Sequence, residues 1–125
     1  MTPGEGLRWL DGLGPQKIRP GLSRTRALLA SLGNPQSTFR TLLVGGTNGK
    51  GSAAAAAASI LETAGLRVGL TTSPHLLRVN ERVRLLGSDV TDAALDSALA
   101  LVASVSGEGP LRPTYFEALV VASCE

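Results

Sequence analysis

The sequence predicts an α/β fold in which a parallel sheet is flanked by helices. Two short apolar segments, FRTLLV at 39–44 and LRVGLTT at 66–72, have the length and composition of buried strands. Between them lie a glycine-rich turn and an alanine-rich stretch that Gly65 ends. Strand, glycine turn, helix and strand in this order form a βαβ crossover, the unit from which parallel sheets are built.

Composition and charge narrow the class of protein and its partners. The 125 residues are enough for one domain with a modest core. Hydrophobic residues make up 43% of the sequence and charged residues 18%, a balance typical of globular proteins. A net charge of +2, with basic residues scattered among acidic ones, argues against nucleic acid as a partner. Apolar runs stay shorter than the roughly 18 residues of a membrane span. We therefore expect a cytoplasmic protein without a nucleic acid or membrane partner.

Further helices are predicted from capping residues and from apolar spacing. Ser23 is placed to cap a helix through RTRALLASL, which Gly33 ends. Thr91 caps a helix through DAALDSALALVASV, and another helix begins at Thr114. The glycine- and proline-rich residues 1–20 predict an irregular loop.

The segment RVNERVRLLG alternates apolar and polar side chains and predicts a half-exposed strand that turns at Gly87 and Ser88. On such a strand Glu81 and Arg82 point to opposite faces, so they are not expected to pair. The last predicted helix stops at Glu125 without a glycine, a proline or a basic closing turn. Because two open strands leave most of their apolar surface in water, the predicted domain is expected to be incomplete in this chain.

The glycine-rich turn predicts a phosphate cradle. Glycines at 45, 46, 49 and 51 let the backbone curl around an anion, and a helix over about 50–64 follows at once. The start of a helix offers unpaired N–H groups and the positive end of the peptide dipole. Lys50 can reach the outer phosphates, and a hydroxyl just beyond it can meet magnesium. The expected fold is therefore a P-loop-containing mononucleotide-binding domain; a glycine-rich surface turn with an isolated lysine is the alternative.

The turn departs from the common Walker pattern at two positions. That spacing requires glycine where this chain has Val44, and serine or threonine directly after the lysine, where it has Gly51. Ser52 comes one residue later. The turn is thus a variant of the P-loop, and the residues in which it differs help to identify the family that the chain resembles.

Four motifs together resemble the folylpolyglutamate synthase and dihydrofolate synthase family, within the Mur ligase group. They are GTNGKGS at 46–52, TSPHL at 72–76, NERVR at 80–84 and TYFEAL at 114–119, in the family's order. GLSR at 21–24 looks like the family's GLxR upstream of the loop. The resemblance covers most of the chain and extends outside the ATP loop, which favours folate over a cell-wall substrate.

The resemblance implies a ligase that uses ATP and Mg²⁺ to phosphorylate a carboxylate of folate or dihydropteroate. The amino group of L-glutamate then attacks the acyl phosphate and forms an amide. Backbone amides, a lysine and magnesium suit this chemistry, because they position anions and neutralise developing charge. By the resemblance, Lys50 would stabilise the transferring phosphoryl group, and the ATP phosphates would be bound by Thr47, Asn48, Gly49, Lys50, Gly51 and Ser52.

Ser73 looks like the family's magnesium-contacting serine, and Pro74 holds it away from helical geometry. An ordinary turn serine is the alternative, since a neutral hydroxyl is a weak ligand without carboxylate help. His75 is more simply a packing or hydrogen-bonding residue, and it is assigned no acid–base role.

The segment TYFE has two compatible interpretations. Thr114 and Glu117 have the spacing of a capping box, which needs no ligand. In the family the corresponding segment contributes to the pterin-bearing pocket, where an aromatic side chain, Tyr115 or Phe116, would stack on the flat ring. The residues that the resemblance assigns to substrate binding are Gly21, Leu22, Thr114, Tyr115, Phe116 and Glu117.

By the resemblance, residues 1–125 correspond to the N-terminal part of the ATP-binding domain. The remaining metal ligands and the C-terminal domain that binds glutamate would lie beyond Glu125, so this chain alone is not expected to complete catalysis. The parent enzyme is expected to be a monomer. Two alternatives stay open: a nucleotide-binding fragment without ligase activity, and a Mur-type ligase acting on a cell-wall precursor. The motifs do not separate dihydrofolate synthase from folylpolyglutamate synthase activity.

Overall fold

A computed structural model describes residues 2–14, 18–73, 75 and 77–125. The chain divides into two compact units. The first combines Met1–Arg40 with Asp92–Glu125, and the second is the continuous segment Thr41–Thr91.

The first unit is helical. Its core is mainly leucine and valine, of which Leu28, Leu99 and Val102 are fully buried. Helix α1 (Glu5–Gly12) packs against α4 (Asp92–Ser106), and α4 packs against α5 (Tyr115–Cys124). The described residues of this unit also form α2 (Ser23–Ser31) and a short 3₁₀ helix at Pro35–Thr38.

Helix α1 corrects the prediction of an irregular loop over residues 1–20, because residues 5–12 of that stretch are helical. The helix buries Leu10, and Gly6 lies directly against the backbone of α4. At its amino end, Asp96 of α4 accepts hydrogen bonds from the backbone N–H groups of Gly4 and Leu7, both at 2.9 Å. Long-range packing and capping therefore stabilise a helix that its local sequence does not favour.

The remaining helices of this unit follow the predicted positions closely. Helix α2 begins at Ser23 itself, with Leu22 in the cap position, so the predicted serine cap is wrong by one residue. The chain leaves the helix at Gly33, whose φ of 86° lies in the left-handed region. Helix α4 starts directly after Thr91 as predicted, and the predicted start of α5 at Thr114 is confirmed.

The second unit holds a three-stranded antiparallel sheet and one long helix. Strand β2 (Val83–Leu85) pairs with both β1 (Gly69–Thr71) and β3 (Ser88–Asp89). The β2–β3 hairpin turns at Leu86 and Gly87, whose φ values of 52° and 86° match a type I′ turn. The elements of this unit are α3 (Lys50–Thr63), β1 (Gly69–Thr71), a 3₁₀ helix at Val79–Arg82, β2 (Val83–Leu85) and β3 (Ser88–Asp89).

The structure differs from the prediction at two strands, although it combines helices and strands as the predicted α/β class requires. The segment FRTLLV forms no strand within the described residues, and Leu42 and Leu43 are 67% and 90% exposed. A strand requires hydrogen bonds to a neighbour, and the described strands pair only with one another, so the predicted parallel βαβ unit is not formed here. The second predicted strand, RVNERVRLLG, begins instead with a 3₁₀ helix at Val79–Arg82. Glu81 and Arg82 therefore do not alternate across a strand.

Helix α3 confirms the predicted helix, with Ala64 at its C-cap and Gly65 in the left-handed region at φ 92°. Most of its alanines are not buried: Ala58 is the one buried residue among the described residues of this helix. Helix α3 contacts β1. Throughout the described residues, no helix has the length and apolar character needed to cross a membrane.

Candidate functional site

The glycine–lysine turn lies at the amino end of α3. Gly49 occupies the N-cap position with φ of 75°, and Gly46 has φ of 145°, so both adopt conformations that side-chain-bearing residues rarely take. Lys50 is the first residue of the helix, and its Nζ donates to the carbonyl oxygen of Gly46 at 3.3 Å. The ammonium group is therefore folded back over the turn.

This geometry suits an anion. The first N–H groups of an α-helix have no carbonyl partner within the helix, and the peptide dipole places positive potential at the same end. Residues Gly45 to Ser52 are all exposed, so these donors face solvent. The turn thus combines backbone donors, a lysine ammonium and the Ser52 hydroxyl, the groups that hold phosphate and its magnesium ion in nucleotide sites.

A cavity of about 430 Å³ adjoins the start of α3. It brings Gly51 of the turn together with Ser73, which follows strand β1. Thr72 is held there by its backbone N–H, which donates to the carbonyl oxygen of Arg82 at 3.0 Å. The described lining of this cavity is Gly51, Ala55, Leu70, Thr72, Ser73, Glu81, Arg84 and Asp89.

The cavity includes Ser73, whose hydroxyl the resemblance assigns to magnesium. A magnesium ion needs more ligands than one serine oxygen. No group of three or more histidine, cysteine, aspartate or glutamate residues that could hold a metal ion occurs among the described residues. Asp89 pairs with Arg84, with Nε and Oδ1 3.3 Å apart. Ser73 as a metal ligand therefore stays a prediction that needs ligands from elsewhere.

His75 has a defined hydrogen-bond partner. Arg82 Nε donates to His75 Nδ1 at 2.9 Å, so Nδ1 is the acceptor of this bond. Glu81 Oε2 accepts the backbone N–H groups of Leu77 and Arg78, both at 2.9 Å. The bond from Arg82 fits the hydrogen-bonding role expected for His75. The other two residues of the TSPHL motif named by the prediction, Pro74 and Leu76, lie outside the described residues.

A second cavity, of about 340 Å³, lies within the helical unit. It brings together Gly21 and Leu22, which precede α2, with the first turn of α5. Leu22 and Phe116 are 61% and 55% exposed, so apolar surface faces the cavity mouth. Its described lining is Ile18, Arg19, Gly21, Leu22, Thr25, Thr114, Phe116, Glu117 and Val120.

The capping box that the TYFE spacing predicts is formed at the start of α5, and its two residues, Thr114 and Glu117, line this cavity. Thr114 Oγ1 accepts the N–H of Glu117 at 3.2 Å, and Glu117 Oε1 accepts the N–H of Thr114 at 2.9 Å. Glu117 also pairs with Arg24: Nε donates to Oε1 at 3.0 Å and Nη2 donates to Oε2 at 2.9 Å. The carboxylate is therefore held on both oxygens.

The environment of Glu117 determines its charge. Burial raises the pKa of this carboxyl, but hydrogen bonds from Arg24 and from the backbone of Thr114, together with the charge of Arg24, outweigh burial and hold the pKa below its ordinary value. Glu117 is therefore ionised at neutral pH, where it acts as an acceptor and not as a proton donor.

The two aromatic side chains of TYFE point in different directions. Tyr115 is 6% exposed and belongs to the core of the unit, whereas Phe116 lines the cavity. Of the six residues predicted to bind substrate, the structure brings five to this cavity, and Tyr115 is not in its described lining. Phe116 is thus the aromatic group placed to stack on a ring.

Sequence reasoning did not single out Arg24 as a site residue, although GLSR contains it. The signal that could have identified it is Glu117, because a buried carboxylate needs a cationic partner. The sequence offers no indication of which of its arginines that partner is, since the two residues are 93 positions apart.

Comparisons with known proteins agree with these motifs, although no protein-family model matches the chain. The chain is 53% identical over 79 residues to folylpolyglutamate synthase of Lacticaseibacillus casei, covering 63% of this chain and 18% of that protein. It is 39% identical over 111 residues to dihydrofolate synthase/folylpolyglutamate synthase of Escherichia coli, covering 89% of this chain and 26% of that protein. The chain therefore spans about a quarter or less of these relatives.

Solved structures extend the similarity to the fold. Folylpolyglutamate synthase of Thermotoga maritima superposes with a TM-score of 0.86 at 35% identity, covering 96% of this chain and 28% of that one. A bifunctional folylpolyglutamate synthase/dihydrofolate synthase of Yersinia pestis, complexed with AMPPNP and a Mn ion, gives 0.83 at 35% identity, covering 99% and 30%. The predicted fold class is confirmed by these similarities.

Proposed function

We propose, from the homology of this chain to folylpolyglutamate synthase and dihydrofolate synthase over most of its length, that it belongs to an ATP-dependent ligase of folate metabolism. The proposed reaction forms an amide between a carboxylate of folate or dihydropteroate and the amino group of L-glutamate. ATP supplies the phosphoryl group that activates the carboxylate as an acyl phosphate, from which the amine displaces phosphate.

The observation that carries this proposal is the glycine–lysine turn at the start of α3. Gly49 opens the helix in a left-handed conformation, and Lys50 folds its ammonium over the turn. We assign the ATP phosphates to the backbone donors and side chains of this turn, with Lys50 neutralising charge on the transferring phosphoryl group. Among relatives of known structure, the Yersinia pestis protein is complexed with AMPPNP and a Mn ion.

Mg²⁺ is the proposed metal ion, and Ser73 the proposed ligand from this chain. The Ser73 side chain lines the same cavity as Gly51, which supports a place beside the phosphates. When bound, the ion would supply charge neutralisation and orientation of the phosphates. Ser73 would contribute one neutral oxygen, and its exposed hydroxyl is free to turn toward an ion.

The cavity of the helical unit is the proposed site for the pterin-bearing substrate. Its apolar mouth suits a flat ring, and the exposed Phe116 offers a face for stacking. Glu117 supplies a fixed anionic acceptor beside it. Residues proposed to bind this substrate are Gly21, Leu22, Thr114, Phe116 and Glu117.

The domain assignment is proposed on the basis of the same homology. We propose that residues 1–125 supply the N-terminal part of the ATP-binding domain, and that glutamate is bound by parts of the family's fold that these residues do not include. The share of the relatives that the chain spans, 18% and 26%, supports this division. A cytoplasmic monomer remains our expectation for the complete protein, and gel filtration of that protein tests the oligomeric state.

The proposal is tested by assaying the complete protein for ATP- and glutamate-dependent amide formation. Dihydropteroate, tetrahydrofolate and a muramyl peptide serve as alternative acceptors, each with a control lacking ATP. We expect product with one or both pteroate compounds and none with the muramyl peptide. Product with the muramyl peptide alone would assign a cell-wall ligase, and nucleotide binding without any product would assign a binding protein.

A further inference from the structure

The Arg24 guanidinium joins three segments around the substrate cavity. Its Nε and Nη2 hold the two carboxylate oxygens of Glu117 on α5, at 3.0 and 2.9 Å. Nη2 also donates to the carbonyl oxygen of Arg19 at 2.8 Å. Arg24 itself lies on α2, so one side chain links the loop before α2, α2 and the first turn of α5.

All three segments contribute lining residues to the cavity. Arg19 and Leu22 come from the loop, Thr25 from α2, and Phe116 and Glu117 from α5. Arg24 is not in the described lining, and its side chain is 12% exposed. It therefore acts on the cavity through its neighbours and not by contact with what fills it.

The pairing with Glu117 is fixed in geometry. A planar guanidinium that meets both oxygens of a carboxylate sets angle as well as distance, which a single ammonium does not. Glu117 Oε1 accepts in turn the N–H of Thr114, so the orientation of the carboxylate is transmitted to the first turn of α5. That turn carries Phe116.

We propose that Arg24 is a positioning residue for the pterin-bearing substrate. Its guanidinium forms a fork, meaning the two parallel hydrogen bonds to the Glu117 carboxylate, and also bonds to the Arg19 carbonyl. These bonds hold the loop before α2 and the first turn of α5 at the spacing that admits the ring. This inference rests on the proposed function and adds to it a residue that determines substrate affinity without touching substrate. Without these hydrogen bonds, the loop before α2 and the first turn of α5 both lose their fixed positions at the cavity.

The test is steady-state kinetics of the complete protein with Arg24→Gln, Arg24→Lys and Arg26→Gln. Arg26 is an exposed arginine on the same helix and serves as the matched control. KM is measured separately for the pteroate substrate and for ATP, and circular dichroism reports the folded fraction. We expect Arg24→Gln to raise KM for the pteroate substrate on the order of tenfold to a hundredfold, since small misplacements have large effects on binding and orientation.

Arg24→Lys separates positioning from charge. Lysine keeps the positive charge beside Glu117 but cannot form the fork, so we expect an intermediate KM for the pteroate substrate. KM for ATP should stay at the wild-type value in both variants, and Arg26→Gln should match wild type throughout. A role in folding alone would lower the apparent kcat through loss of active enzyme and leave both KM values unchanged.

Two outcomes would overturn the inference. One is wild-type KM for the pteroate substrate in Arg24→Lys, which decides the matter if Arg24→Gln fails to fold. Another is a parallel rise of both KM values. Absence of turnover in the wild-type protein would instead contradict the proposed function, so the two failures are distinguishable.

Discussion

The carboxylate of Asp96 accepts the backbone N–H of Leu7 at 2.9 Å, across 89 positions of sequence. Its other oxygen accepts the N–H of Gly4 at the same distance. A side chain of α4 thereby caps the amino end of α1, which has no side-chain cap of its own at Gly4. These two hydrogen bonds, together with packing against α4, account for a helix within a glycine- and proline-rich stretch.

The Asp96 cap predicts the behaviour of Asp96→Asn. Asparagine keeps the shape of the side chain but loses the charge and one of the two acceptors, so the midpoint of thermal unfolding should fall by a few degrees at neutral pH. Asp11→Asn, on an exposed residue of α1, is the control and should show no fall. Circular dichroism of both variants measures the effect, and equal midpoints for Asp96→Asn and wild type would contradict the capping role.

The same bond predicts a dependence on pH. Hydrogen bonds from Leu7 and Gly4, opposed by burial, hold the pKa of Asp96 below its ordinary value of 3.8. A depressed pKa in the folded state means that the stabilisation is present above 3.8 and is lost as pH falls through the folded value. The difference in midpoint between wild type and Asp96→Asn should therefore shrink in acid. A difference that grows in acid would contradict this assignment.

Gly6 is expected to tolerate no side chain, because a Cβ there would overlap the carbonyl oxygen of Asp96 and approach the nitrogen of Ala100 to 2.9 Å. Both are backbone atoms of α4, which cannot swing away. We predict that Gly6→Ala lowers the free energy of unfolding by about 1–3 kcal/mol. Gly12→Ala on the same helix meets nothing within 4 Å among the described residues and should be neutral or stabilising. Urea unfolding of the two variants checks this, and similar effects at both positions would contradict the close contact.

Adjacent aromatic residues of α5 should respond to alanine in opposite ways. Phe116 faces the cavity, so Phe116→Ala should raise KM for the pteroate substrate about tenfold, the value of one ring contact, with little change in thermal midpoint. Tyr115 is in the core, so Tyr115→Ala should cost about 3 kcal/mol of stability. Kinetics and thermal unfolding of both variants separate the roles. A raised KM in Tyr115→Ala with unchanged stability would reverse the assignment.

Lys50→Met removes the ammonium from the turn while keeping an unbranched side chain of similar length. If Lys50 stabilises charge on the transferring phosphoryl group, kcat of the complete protein should fall by about 10²–10³-fold. Thr63→Ala, at the exposed far end of α3, is the control and should retain wild-type kcat. Retention of kcat in Lys50→Met would remove Lys50 from the proposed chemistry.

Local signals in the sequence were sufficient for some elements. Helix α3 was predicted because alanine favours helix and Gly65 ends it, and the capping box of α5 because Thr114 and Glu117 are three residues apart. Each of these depends on residues within a few positions of one another. The same holds for the glycine–lysine turn, whose position between an apolar segment and a helix is visible in the sequence.

Features that depend on distant partners could not be predicted. Helix α1 is capped by Asp96, and Glu117 pairs with Arg24; both partners lie about 90 positions away along the chain. The segment before the turn has a strand-like composition but forms no strand among the described residues, because composition does not supply a neighbouring strand. In the candidate site, the sequence therefore identified the residue types at the cavity but not the side chain that holds them in place.

The most direct measurement is a crystal structure of the complete protein with a non-hydrolysable ATP analogue. We predict that the β- and γ-phosphates lie within hydrogen-bond distance of the backbone N–H groups of Gly49 to Ser52 and of Lys50 Nζ, at the amino end of α3. Phosphates bound away from this turn, with Lys50 still folded onto Gly46, would contradict the nucleotide site and the ligase activity proposed from it.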